Sequence, residues 1–172
     1  MRTRHLRPLF LLLCTATLIG GCATTPNRPA MPPEDVIKAA QQQLTDRCLK
    51  RQGLTPPRAG ERQAATPADK RNSQRIADAL FGAGPTELSL TLPTGYSVRA
   101  HTDGCLAAAQ RTLYGDQRRW FHVSTIANNL KPEAAHRHRS LAWVRARHRT
   151  ELSDWHSMRE QALRRATTQL ST

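Results

Sequence analysis

Hydrophobic residues recur at intervals of three and four from residue 36 onward, which is the spacing of one helical face. The first stripe consists of Val36, Ile37, Ala40, Leu44 and Cys48. An acidic pair, Glu34-Asp35, precedes it and Gly53 follows it, and these residue types favour the beginning and the end of a helix. A polar, proline-rich stretch at about residues 54–72 predicts a flexible loop, and Ser73 is expected to cap a second, short helix.

Strict alternation of apolar and polar residues predicts a β-hairpin between residues 88 and 100. The turn is expected at Pro93-Thr94-Gly95. Two strands alone are marginally stable, so the apolar face of this hairpin must pack on helices. That face is formed by Leu88, Leu90, Leu92, Tyr96, Val98 and Ala100.

The helical spacing returns after the hairpin and continues to about residue 165. Thr102 or Asp103 is expected to cap a helix that ends at Gly115, and Asp116 to cap the next. Pro132 is expected to restart the chain, with a further break near Ser153-Asp154. The sequence therefore predicts a mainly α (small α+β) domain at residues 34–172, with four to five helices and one β-hairpin.

The first 22 residues have the pattern of an export signal: a basic start, a short apolar run and small residues before a cysteine. The segment Leu18-Ile19-Gly20-Gly21-Cys22 resembles the lipobox of bacterial lipoproteins. The resemblance implies cleavage after residue 21 and acyl chains, such as palmitate, on Cys22. Residues 22–33 would be a tether, and the protein would lie on the extracytoplasmic face of the cell membrane. The apolar run is too short for an ordinary transmembrane helix, and a simple secretory signal needs no cysteine at this point.

The charge of the chain is strongly basic, with 26 lysines and arginines against 13 acids. Loss of Arg2, Arg4 and Arg7 with residues 1–21 lowers the formal charge from +13 to +10. A basic surface beside an anionic leaflet or wall polymer is attracted to it in a salt-dependent way.

The cysteines divide by position. Cys14 leaves with the signal and Cys22 carries lipid, so Cys48 and Cys105 remain as a pair in an oxidising compartment. We expect a structural disulfide between them that contributes about 4 kcal/mol. A redox pair is the alternative, but the close Cys-x-x-Cys spacing is absent from the sequence.

The segment Asp103-Gly104-Cys105, followed by Leu113-Tyr114-Gly115-Asp116, resembles a group of small exported actinomycete-type lipoproteins without an assigned activity. The resemblance extends over about residues 70–130. It implies a shared fold and the same Cys48–Cys105 pairing. It supplies no catalytic residue, cofactor or substrate.

Residue types suited to hydrolysis occur at His101, Asp103 and Ser124, and a small envelope hydrolase is the alternative function. Neither Ser124 nor the other candidate serine, Ser97, lies in a Gly-x-Ser-x-Gly elbow or another known nucleophile motif. Six histidines remain after processing, but their spacings, such as that of His136 and His138, do not converge on one ion. We therefore expect no catalytic residue, metal site or cofactor.

Basic residues are concentrated near the C-terminus, a pattern that favours an ordinary solvated helix face. The functional alternative is a binding face for phospholipid headgroups, acidic wall polymers or nucleic acid. Export argues against nucleic acid as a partner, and the sequence has no nucleic-acid-binding motif. For the protein as a whole we expect a non-catalytic, lipid-anchored protein that binds a protein partner or an anionic envelope polymer. The residues of the predicted face are Arg137, Arg139, Arg145, Arg147 and Arg149.

Overall fold

The computed structural model describes residues 31–55 and 66–171, which belong to one compact unit beginning at Met31. These residues form six helices and one antiparallel hairpin, and they confirm the mainly α fold with a disulfide. The signal segment, Cys22 and residues 56–65 of the predicted loop lie outside the described residues. The elements are α1 (Pro33–Arg51), α2 (Pro67–Phe81), β1 (Leu88–Thr91), β2 (Ser97–Ala100), α3 (Gly104–Tyr114), α4 (Gln117–His136), α5 (Leu141–Arg147) and α6 (Arg149–Leu170).

The largest hydrophobic cluster lies between α1, α3, α4 and α6. Alanines at the α1–α6 contact, Ala40, Ala162 and Ala166, are fully buried, and their small side chains allow the two helices to approach closely. Tyr114 at the end of α3 stacks on Trp120 of α4, with ring centroids 3.6 Å apart. This cluster fixes the long C-terminal helix against the first helix. None of the helices within residues 31–55 and 66–171 is both long and apolar enough to cross a bilayer.

The predicted disulfide between Cys48 and Cys105 is present and joins α1 to α3, with the two Cα atoms 5.5 Å apart. Cys105 is fully buried beside Leu49 and Leu54, and α2 packs against the same cluster through Ile76 and Leu80. The disulfide therefore lies within a separate part of the core, between α1 and α3, and not at an exposed loop.

The predicted hairpin is confirmed in position, but Tyr96 is 77% exposed and does not pack with the apolar face as expected. Leu88 pairs with Ala100 and Leu90 pairs with Val98, so the alternating apolar residues share one face. Leu90 packs against a second cluster formed by α4, α5 and α6, of which Val144 is the most deeply buried member. The C-terminal helices thus stabilise the hairpin, which would be only marginally stable alone.

The second helix begins earlier than expected, at Pro67 rather than Ser73. The Thr66 side chain accepts a hydrogen bond from the Asp69 amide, and the Asp69 side chain accepts one from the Thr66 amide. This reciprocal capping box satisfies two amides at the helix start, and proline suits the first helical position. The prediction of a flexible loop up to residue 72 was therefore wrong at its C-terminal end.

The C-terminal helices are also divided differently from the prediction. Pro132 lies inside α4 on an exposed side and does not restart the chain, while α6 runs without a break through Ser153-Asp154. Two breaks are present instead. One falls at residues 137–140, where His138 has a positive φ of 51° and Ser140 caps α5, and the other falls at His148, between α5 and α6. An additional helix results, so the count is six rather than four to five.

Candidate functional site

Exposed arginines surround a tryptophan on α5 and in its two flanking turns. We define the arginine–tryptophan surface as Arg139, Trp143, Arg145, Arg147 and Arg149. All five side chains are exposed, and 42% of Trp143 is accessible to solvent. α5 exists because Ser140 accepts a hydrogen bond from the Trp143 amide at one end, while Val144 is fully buried against the core.

Two guanidinium groups of this surface lie over the Trp143 ring. Arg139 Cζ is 5.7 Å and Arg147 Cζ is 5.9 Å from the ring centroid. Both distances are within the range of a cation–π interaction. Arg147 lies four residues after Trp143 within α5, so the two side chains share one side of the helix. Arg139 approaches the ring from the turn that precedes α5. Trp143 therefore orients positive charge at the surface.

Arg137 differs from the other four residues of the predicted binding face. Its Nε atom donates a hydrogen bond of 2.7 Å to Glu133 Oε1, and its side chain is only one-third exposed. The charge of Arg137 is thus neutralised inside the protein. Its position is structural, at the end of α4.

Glu133 is the centre of a buried polar cluster that the sequence interpretation did not identify. Only 4% of the residue is exposed. Its second oxygen, Oε2, lies 2.8 Å from His148 Nε2, and His148 Nδ1 lies 3.6 Å from Glu151 Oε1. Burial raises the pKa of Glu133, whereas hydrogen bonds and charges from Arg137 and His148 lower it. The lowering effects together exceed the effect of burial, so the pKa lies below its ordinary value.

A cavity of about 170 Å³ adjoins this cluster, between the hairpin end and α4. Leu92 and Pro93 form part of its apolar wall, and Glu133 and His148 form part of its polar wall. Each Glu133 oxygen already accepts a hydrogen bond from a protein side chain. The Glu133–His148 pair therefore connects α4 to the α5–α6 junction. Because the two residues are fifteen positions apart, no local sequence pattern predicts their contact.

The residues of the alternative hydrolase are only partly brought together. His101 Nδ1 lies 3.5 Å from Asp103 Oδ1. Ser124 Oγ donates instead to the Phe121 carbonyl of its own helix, at 3.3 Å. The described contacts thus give a histidine–aspartate pair without an activated hydroxyl.

Asp103 has a different partner from the one expected of a helix cap. It occupies the N-cap position of α3, but its carboxylate accepts hydrogen bonds from the Ala83 and Gly84 amides, at 3.0 and 2.9 Å. The bond from Gly84 is the largest of the influences that hold the pKa of Asp103 below its ordinary value. The predicted side-chain cap of α3 was wrong for Asp103, whereas the Asp116 cap of α4 is confirmed by its bond to the Arg119 amide.

Gly104 explains why this junction is so closely packed. A Cβ atom at Gly104 would lie 2.6 Å from the Gly82 amide nitrogen, and the residue has a φ of +86°. The start of α3 therefore contacts the end of α2 directly through the backbone. The arrangement accounts for the Asp-Gly pair as structure.

The histidines of the described residues do not form a metal site. Across residues 31–55 and 66–171, no group of three histidine, cysteine or carboxylate side chains is placed to hold an ion. His136 and His138 are exposed, and His148 is engaged by Glu133.

Comparison of the chain with protein-family models, curated proteins and solved structures finds no match.

Proposed function

We propose that this protein is a non-catalytic, lipid-anchored component of the cell envelope whose arginine–tryptophan surface binds an anionic partner. The partner would be an anionic component of the envelope: an acidic polymer, an acidic face of another protein or the headgroups of anionic lipids. Attachment through acylated Cys22 would keep the domain at the extracytoplasmic face of the membrane. The observation that carries the proposal is the set of four exposed arginines around a half-exposed tryptophan.

Within the part of the chain that is described, the four arginines of this surface form no ion pair with a carboxylate. Two arginines elsewhere are paired with carboxylates: Arg119 Nη2 lies 2.8 Å from Asp154 Oδ1, and Arg137 is held by Glu133. Among residues 31–55 and 66–171, no carboxylate forms such an ion pair with Arg139, Arg145, Arg147 or Arg149. Their guanidinium groups remain available to an external partner.

The residue type also favours anion recognition. A guanidinium group presents several N–H donors in a planar fork that matches carboxylate and phosphate oxygens. Cation–π contacts with Trp143 limit the freedom of Arg139 and Arg147, so less side-chain entropy is lost on binding. A surface of this kind supports binding but supplies no nucleophile or general base.

The hydrolase hypothesis has weaker support. Asp103 Oδ2 is bound by two backbone amides, which fixes the carboxylate at the α2–β1 turn. The Ser124 hydroxyl donates to its own helix. These contacts explain His101, Asp103 and Ser124 without a reaction.

Two charge-matched triple variants test the proposal. The surface variant replaces three arginines of the site with glutamine, and the control variant replaces three exposed arginines elsewhere, so both lose the same charge. The surface variant is Arg139→Gln, Arg145→Gln and Arg147→Gln, and the control variant is Arg71→Gln, Arg75→Gln and Arg99→Gln.

The measurement is crosslinking on intact cells, followed by affinity recovery of the protein. We expect a recurrent partner with the wild type and the control variant, and its loss with the surface variant. Equal recovery with both variants would contradict a role for this surface. If His101→Ala or Asp103→Ala abolishes the protein's function in cells while the surface variant retains it, the hydrolase hypothesis is favoured instead.

A further inference from the structure

We propose that the anionic partner of the arginine–tryptophan surface is the phospholipid bilayer itself, so that α5 docks the domain on the membrane that holds its acyl chains. The inference rests on the proposed function, because it requires both the anion-binding surface and acylation at Cys22. It specifies the partner as an anionic lipid surface rather than a soluble polymer or protein.

The shape of α5 suits a flat partner. Val144 is turned to the core, and the opposite side of this seven-residue helix carries two exposed alanines, Ala142 and Ala146. At 3.6 residues per turn, Trp143 and Arg145 lie on the two flanks of that side. The small alanines allow the backbone to come close to a surface while the longer flanking side chains extend toward it.

Trp143 distinguishes a bilayer from a soluble polyanion. Arginines alone would attract any polyanion. The Trp143 ring orients two of them, but it is also 42% exposed, and a soluble polyanion offers no apolar surface to cover it. Tryptophan is enriched where a membrane meets water, because its ring is apolar and its N–H still reaches a hydrogen-bond acceptor. Arginine beside it can donate to headgroup phosphates while its alkyl stem stays near apolar surface.

The tether gives this partner an advantage over others. Cys22 and Pro33 are separated by eleven residue steps, which span at most about 40 Å even when fully extended. An acylated Cys22 would therefore keep the first residue of α1 within that distance of the bilayer, and docking would be an intramolecular event at high effective concentration. Each arginine near an anionic leaflet then favours the docked state about fivefold.

The test measures the contact of Trp143 with lipid in the full-length, acylated protein. The protein is reconstituted in vesicles of brominated phosphatidylcholine, with or without brominated phosphatidylglycerol, and tryptophan fluorescence is recorded. Trp143→Phe identifies the contribution of Trp143, because Trp120 and Trp155 remain. We expect quenching of the Trp143 component in the anionic vesicles and its reduction in the zwitterionic vesicles or at high salt.

The same charge-matched variants supply the second readout. The surface variant should lower the ratio of docked to undocked protein by on the order of a hundredfold, and the control variant should behave like the wild type. Equal fluorescence quenching in anionic and zwitterionic vesicles, or a Trp143 component that bromine does not quench, would overturn the inference.

The two proposals can fail separately. If bromine does not quench Trp143 but the surface variant still loses a partner on cells, the bilayer is the wrong partner and the proposed function stands. If Trp143 is not quenched and the surface variant loses nothing on cells, both proposals are wrong. Circular dichroism of Trp143→Phe and of the surface variant confirms that the helices persist in either case.

Discussion

The Nε2 atom of His148 lies 2.8 Å from Oε2 of Glu133, and this contact joins the end of α4 to the junction of α5 and α6. Arg137 binds the other oxygen of the same carboxylate. The two bonds fix both ends of the segment that carries the arginine–tryptophan surface. The orientation of that surface therefore depends on a buried cluster beside it.

The Glu133 cluster predicts a specific loss of stability in acid. Because the folded-state pKa of Glu133 is below its ordinary value of 4.5, its contribution is complete above that value and is lost as the pH falls through the folded-state pKa. We expect the difference in unfolding free energy between wild type and Glu133→Gln to shrink below pH 4.5. Urea unfolding at a series of pH values measures it, and a difference independent of pH would contradict the cluster.

Removal of His148 should destabilise the domain far more than removal of a neighbouring exposed histidine. His148→Ala deletes a hydrogen bond to a buried carboxylate, and we expect a loss of about 2 kcal/mol. His136→Ala, on the exposed side of α4, should change stability by no more than about 0.5 kcal/mol. Chemical denaturation of both variants provides the comparison, and equal losses would mean that the Glu133–His148 bond contributes little.

The backbone contact at Gly104 predicts a large effect from a single methyl group. Gly104→Ala places a Cβ atom against the Gly82 amide and also strains a φ of +86°. Gly95→Ala is the matched control, because Gly95 has a φ of +88° with no atom within 4 Å of a new Cβ.

We expect Gly95→Ala to lower the unfolding free energy by about 1 kcal/mol, from backbone strain alone. Gly104→Ala should exceed that loss by about 2 kcal/mol, because the start of α3 must move away from α2. Thermal and urea unfolding measure both variants. A similar loss at the two glycines would show that the close approach is relieved without strain.

Acylation at Cys22 makes a prediction about processing. Cys22→Ser should release the protein from membranes or leave an unprocessed precursor, whereas Cys14→Ser should behave like the wild type because residue 14 would be removed with the signal. Metabolic labelling with palmitate and membrane fractionation test the pair. Wild-type labelling of Cys22→Ser would refute the anchor.

Local signals predicted the parts of the fold that depend on neighbouring residues. The hairpin follows from alternation around Pro93-Thr94-Gly95, and the α3–α4 boundary from Gly115-Asp116. The start of α2 was also readable, since Thr66 and Asp69 have capping-box spacing, but the prolines and polar residues around it were interpreted as a loop.

Other features depend on tertiary contacts. Pro132 is tolerated within α4 because it is exposed while Leu130 and Ala134, on either side of it, are buried, so packing offsets the hydrogen bond that proline cannot donate. The Glu133–His148 bond joins α4 to the turn between α5 and α6, so it forms only once these helices have packed together. The four-residue spacing around Trp143 is visible in the sequence, but its exposure depends on Val144 facing the core.

The most direct test of the central claim is the binding of the full-length protein to a defined polyanion at several salt concentrations. Polyglutamate and polyphosphate provide carboxylate and phosphate probes. We predict that the surface variant weakens binding about tenfold at low salt, since exposed ion pairs contribute about 0.5 kcal/mol each, and that the difference fades as salt is added. The control variant should bind like the wild type. Equal weakening by both variants would show that binding follows net charge alone and would contradict a specific arginine–tryptophan surface.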